Sequence, residues 1–92
     1  MDQERLSQVI DILTQVSDLL YQENIEYAYK MLAIILKELE EVISMVEEET
    51  VRIEMKEKLM GALQAMEERD YILLADIIQY EVVEHLKMFE DQ

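Results

Sequence analysis

The amino-acid sequence predicts an all-α protein, an antiparallel four-helix bundle made of two helical hairpins. Three observations carry that expectation. The chain of 92 residues has no proline and one glycine, so little in it breaks a helix. Its apolar residues recur at helical spacing through four stretches separated by polar turns. It is 51% apolar yet carries a formal net charge of −14, which suits amphipathic helices around a shared core better than a disordered chain. The expected helices cover about 3–22, 25–46, 51–67 and 71–89, all within one domain spanning 1–92.

In the first stretch Leu6, Val9, Ile10, Leu13, Val16 and Leu20 form one helical face, with Asp11, Gln15 and Asp18 turned outward. Asp2 is placed to cap its N-terminus, and Glu4 sits near the positive end of the helix dipole. The pattern lapses at Gln22-Glu23-Asn24, the best turn of the first half. The second stretch begins at Ile25. Its stripe is widened by Met31, Ile34 and Met45, which predicts that the second helix is the most buried of the four.

Thr50 reads as the N-cap of the third stretch, which runs through Ile53, Met55, Leu59, Met60, Leu63 and Met66. Nothing in Glu47-Glu48-Glu49 forbids a helix, however. An alternative therefore fuses the second and third helices into one rod of about 40 residues, whose exposed seam a second copy would cover in a dimer. Asp70 reads as the cap of the fourth stretch. Gln22, Glu26, Tyr29, Leu32, Ala33 and Ile35 recur as Gln64, Glu68, Tyr71, Leu74, Ala75 and Ile77, as expected if each half is one hairpin.

Composition narrows the function classes. Twenty-two acids against eight bases disfavour direct binding to nucleic acid or to an anionic membrane. No apolar run approaches the length of a membrane span, and Met1-Asp2-Gln3-Glu4-Arg5 lacks the basic start of a secretory leader, so a cytoplasmic location is expected. The absence of cysteine removes thiolate sites and cysteine nucleophiles. His85 is the single histidine, and the residue three before it is Val82, so the Glu-x-x-His pairs of di-iron bundles are missing. It is expected at a core boundary beside Phe89. Gly61 stands alone in the third helix and predicts close approach of a neighbour. No cofactor, metal or catalytic residue is expected, and the protein reads as a non-enzyme.

Two features point instead to a protein partner. Methionine is used seven times, and three of these fall in the third helix, where adaptable side chains suit a surface that accepts another helix. Five tyrosines include Tyr29 and Tyr71, expected half-buried at hairpin corners, and Tyr27 and Tyr80, which fall off the main seams. The residues expected to hold a partner are therefore Met55, Met60, Met66, Tyr27 and Tyr80, around an apolar groove beside the second and third helices. An inhibitor that mimics nucleic acid through Glu38, Glu41, Glu47, Glu48 and Glu49 is the alternative, with self-association a third.

The segment Glu68-Arg69-Asp70-Tyr71-Ile72-Leu73-Leu74-Ala75-Asp76-Ile77-Ile78-Gln79-Tyr80-Glu81 resembles a pattern in small uncharacterised helical proteins of Gram-positive bacteria. Some of these stand beside motility functions, and small helical bundles of that setting include flagellar export chaperones. The resemblance implies a chaperone-like, non-enzymatic bundle that holds a partner helix. It assigns no functional residue.

Overall fold

Local capping starts the helices where the sequence provides a short acidic side chain. In the computed structural model, which describes residues 2–90, Asp2 accepts from the backbone N–H groups of Glu4 (3.0 Å) and Arg5 (3.2 Å) and opens α1 (Gln3–Tyr21). Asn24 precedes α2 (Ile25–Ser44) without a side-chain bond. α3 (Glu49–Glu67) begins two residues before the expected start. Glu48, extended at φ −72° and ψ 116°, takes the cap position, and Thr50 lies inside the first turn. Asp70 accepts from Leu73 N–H at 3.2 Å and opens the fourth arm.

That arm is composite: α4 (Tyr71–Asp76), a π-helical segment (Ile77–Val83) and α5 (Glu84–Lys87). The apolar pairs Ile77–Ile78 and Val82–Val83 recur at the five-residue spacing of π-helical hydrogen bonds. An ordinary α-helix would spread these four around much of its circumference. The π turns let all four remain buried.

Both hairpins turn through the same motif. At the end of α1, Glu23 N–H donates to Leu20 O and Asn24 N–H to Leu19 O; at the end of α3, Arg69 N–H donates to Met66 O and Asp70 N–H to Ala65 O. These are Schellman turns, which need a left-handed residue at their apex. Glycine usually supplies it, but here Glu23 (φ 63°) and Arg69 (φ 57°) do. Between α2 and α3 the chain breaks at Val46, which is buried and whose carbonyl accepts from Arg52 Nη1 at 2.8 Å. The second and third helices are therefore separate, and the fused rod is not formed.

Four helical arms and no strand make up the described residues. α1 packs along α2 and along the fourth arm, α3 packs on the fourth arm, and α2 touches α3 more lightly than any of these pairs. Arg5 near the start of α1 pairs with Glu38 (2.6 Å) and Glu41 near the end of α2. Ser17 near the end of α1 donates to Ala75 O in α4 at 3.2 Å, and Gln3 Nε2 donates to Phe89 O at 2.9 Å. The long dimension of 34 Å is close to the length of one arm, since 19 residues of α-helix span about 29 Å.

The core corrects one expectation about burial. α1, not α2, is the best covered arm: Leu6, Leu13, Val16 and Leu20 are all fully buried between two neighbours. α2 leaves Ile34 78% exposed and Met45 46% exposed, because no helix covers the edge of its stripe. The internal repeat is also out of register with the hairpins. Tyr71 opens α4 while its partner Tyr29 lies one turn inside α2, so the two are contacts, not equivalents. Gly61 is not needed for close approach: a Cβ there would meet only Ile77 Cδ1, at 4.0 Å.

Candidate functional site: the seam between α2 and α3

The light contact between α2 and α3 leaves a groove. α3 contributes few large residues to the core, chiefly Met55 and Leu59 with Ala62 and Ala65, so α2 is not drawn tightly against it. Toward the α2–α3 loop, Ile43, Leu59 and Leu63 form an apolar floor beneath Met60 in an opening of about 330 Å³. Met60 is 69% exposed, although its neighbours on the seam are apolar. Glu40, Ser44 and Lys56 form the rim.

Between the first turns of α2 and the turn that leads into α4 lies a second opening, of about 520 Å³, lined by Ile25, Tyr29, Ala33 and Tyr71 with Glu26, Lys30 and Arg69 at its edge. Its walls are fixed by aromatic contact and a hydrogen bond. The Tyr29 and Tyr71 rings meet edge to face with centroids 6.0 Å apart and planes at 69°, and Tyr29 OH donates to Met66 O at 2.9 Å. Burial, followed by the nearby Tyr71, pushes the Tyr29 pKa up. Arg69 lies against the Tyr71 hydroxyl, which raises the guanidinium pKa, and it forms no ion pair with any described carboxylate.

The five residues expected from the sequence are divided by this geometry. Met60 lines the groove as expected. Met55 does not: it is 2% exposed, because five residues along a helix rotate a side chain by about 140°, from the seam into the core. Met66 is half-buried and packs on the core, reaching the seam only through its carbonyl. Tyr27 is exposed in the row with Ile34 on the outer face of α2, away from α3. Tyr80 is 67% exposed on the π segment of the fourth arm. The structure thus brings Met60 together with Ile43, Leu59 and Leu63, which sequence reasoning had left as plain core positions. Their signal was the apolar seam itself, shared by two helices that turn out to pack loosely.

Elsewhere several polar side chains have defined partners. Glu38 and Glu41, two carboxylates of the expected nucleic-acid mimic, are held by Arg5. Lys58 pairs with Glu81 at 3.5 Å. Tyr21 OH donates to Asp76 Oδ1, which with partial burial pushes its pKa up to about 12. His85 is half-buried, with Nδ1 3.0 Å from Glu81 O. Among the described residues no three histidine, aspartate or glutamate side chains are grouped as a metal site, and no helix is long and apolar enough to cross a membrane.

The fold defines a class, that of small all-helical proteins. The chain belongs to the family described as a domain of unknown function, DUF8042, whose pattern matches residues 3–92. No curated protein and no solved structure matches it.

Proposed function

We propose that this protein is a small helical adaptor or chaperone-like module, without enzymatic activity, that takes one amphipathic helix of a partner protein along the α2–α3 seam. In this reading the four arms form an up-down antiparallel bundle. The head-to-tail bonds Arg5–Glu38, Ser17–Ala75 and Gln3–Phe89 support that arrangement. The observation that carries the function is the exposure of Met60 over the apolar floor of Ile43, Leu59 and Leu63. A helix laid there would bury its apolar side chains against these residues. Methionine suits this place because its unbranched thioether adapts to different partners at low cost. The abundant exposed carboxylates keep such a groove from collecting unrelated apolar chains and disfavour contact between copies.

Site-specific photo-cross-linking tests the reading in cells of the natural host. A benzophenone amino acid replacing Met60 is expected to give an adduct that maps to an amphipathic helical segment. The same group replacing Tyr80 is expected to give none with that partner. Met60→Glu should reduce complex formation with the mapped segment at least tenfold while leaving the helical circular dichroism intact. Adducts from position 80 alone would move the binding surface to the fourth arm.

A further inference from the structure

Three openings on α3 run into one another. The groove beneath Met60 shares Met60 and Leu63 with a shallow opening of about 670 Å³ on the outer face of α3. That opening shares Glu57 and Gly61 with one of about 340 Å³ between α3 and the π-helical segment, bounded there by Ile77 and Glu81. We infer that the helix taken at Met60 leaves the seam and crosses α3 over Gly61 toward the fourth arm, with a small residue at the crossing and bases on the flank beyond it. This rests on the groove reading above and fixes the path and the composition of its occupant.

Gly61 is where that path meets the least obstruction. It has no side chain, and it stands between Met60 on the groove side and Ile77 on the other. Nothing within the molecule requires a glycine there. An added Cβ would meet only Ile77 Cδ1, at 4.0 Å, and the backbone does not adopt a positive φ. Yet a glycine inside a helix costs about 1 kcal/mol against alanine. Close approach of a second backbone from outside accounts for it, because helix axes come nearest where no side chain projects between them.

The two sides of the crossing differ in chemistry. On the seam side the floor is Ile43, Leu59 and Leu63, with Glu40 and Lys56 balanced at the rim. Beyond Gly61 the charged groups are Glu54, Glu57, Glu67, Glu68 and Glu81 against Lys58, which already pairs with Glu81 at 3.5 Å. An occupant that is apolar on one flank and cationic on the other matches both sides, and an acidic one is repelled. A second copy of this chain is therefore the wrong occupant, since it brings a net charge of −14.

A short helix suffices. Packed helix axes lie about 8–10 Å apart, so the openings on the two sides of α3 are separated by about that distance. Two to three turns, roughly 11–16 Å, cover both. A helix that instead ran along the seam would lie beside Ala33, which is exposed on the same face of α2 as Glu40, about two turns away. The two paths touch different residues: Ala33 for the seam, and Glu54 for the crossing.

A displayed library of amphipathic helices of about 18 residues, roughly 27 Å long, tests this with the intact protein as bait. The library randomises the central position of the apolar stripe and all polar positions. Helices are retained if Met60→Glu abolishes their binding. That bait is more acidic than the parent, so weaker attraction of cations does not explain the loss. The retained helices are expected to carry Gly, Ala or Ser at the central position and Lys or Arg along one flank. Gly61→Ala should raise Tm and yet weaken their binding about tenfold, and Gly61→Leu should weaken it further. Opposite signs for stability and binding separate a docking role from a folding one. A benzophenone amino acid replacing Glu54 should cross-link the retained helices, and one replacing Ala33 should not. If Gly61→Ala leaves affinity within about twofold, or adducts form from position 33 and not from 54, the crossing is overturned although the groove stands. If no retained helix depends on Met60, the groove reading falls and takes this inference with it.

Discussion

Ser17 shows how one small polar residue is accommodated at the centre of an apolar interface. It is fully buried, and its hydroxyl donates to the carbonyl of Ala75, so its burial leaves no orphaned group. One turn further along α1, Tyr21 donates to Asp76, and this bond, the largest cause, moves its pKa from 10.0 to about 12. The folded-state value lies above the ordinary one, so the neutral phenol is favoured by folding. That contribution is complete below pH 10 and is lost as pH rises toward 12. Ultraviolet titration of the five tyrosines should show a step near pH 12, and Tyr21→Phe should remove that step. A titration in which every tyrosine ionises near pH 10 would count against the Tyr21–Asp76 bond. The sequence contained both residues but not their meeting, since 55 positions separate them and only the α1–α4 packing joins them.

Within the helices, legibility followed the local chemistry. The caps at Asp2 and Asp70 were readable because each bond is made to a backbone N–H at most three residues away. The apolar face of α1 was readable because it is covered on both sides. The stripe of α2 was misjudged because periodicity reports which side chains share a face, not whether a neighbour arrives to cover it. Met55 and Met60 illustrate the same limit in the candidate site. They are identical in type, and only the phase of α3 against α2 decides that one is core and the other surface. Gly61 is the clearest case of an unneeded residue. Its added Cβ would stand 4.0 Å from Ile77 Cδ1, an ordinary contact. Gly61→Ala should therefore stabilise α3 by about 0.5–1 kcal/mol, raising Tm by about 3–6 °C in a domain of this size. A fall in Tm would mean that Ile77 cannot yield the space.

At the scale of the whole molecule, a net charge of −14 is distributed over a body measuring 34 × 23 × 19 Å. Most carboxylates have no cationic partner, since there are only eight bases for 22 acids. The folded state therefore carries more self-repulsion than an expanded chain does. Raising NaCl from about 0.01 M to about 1 M shortens the screening length from roughly 30 Å to roughly 3 Å, and Tm should climb across that range. A Tm that falls with salt would mean that the few ion pairs, such as Arg5 with Glu38 and Glu41, outweigh the general repulsion. The all-helical content and the four arms were legible from composition and spacing because helix content and turn positions are local properties. The opening beside Met60 was not legible in shape, because it arises from how little α3 brings to the core.

The π segment has a further consequence for the fourth arm, concerning chain length. A π turn takes up one extra residue locally, so the α-helical stretches on either side keep their phase toward α1. Ile77–Val83 is thus an expansion joint, the stretch where the arm can gain or lose one residue while Leu74 and Leu86 remain in the core. Deleting one residue within this stretch is expected to close the helix there into ordinary α turns and to preserve the far-ultraviolet helical signal, whereas a deletion at Leu74 or Leu86 should lower Tm.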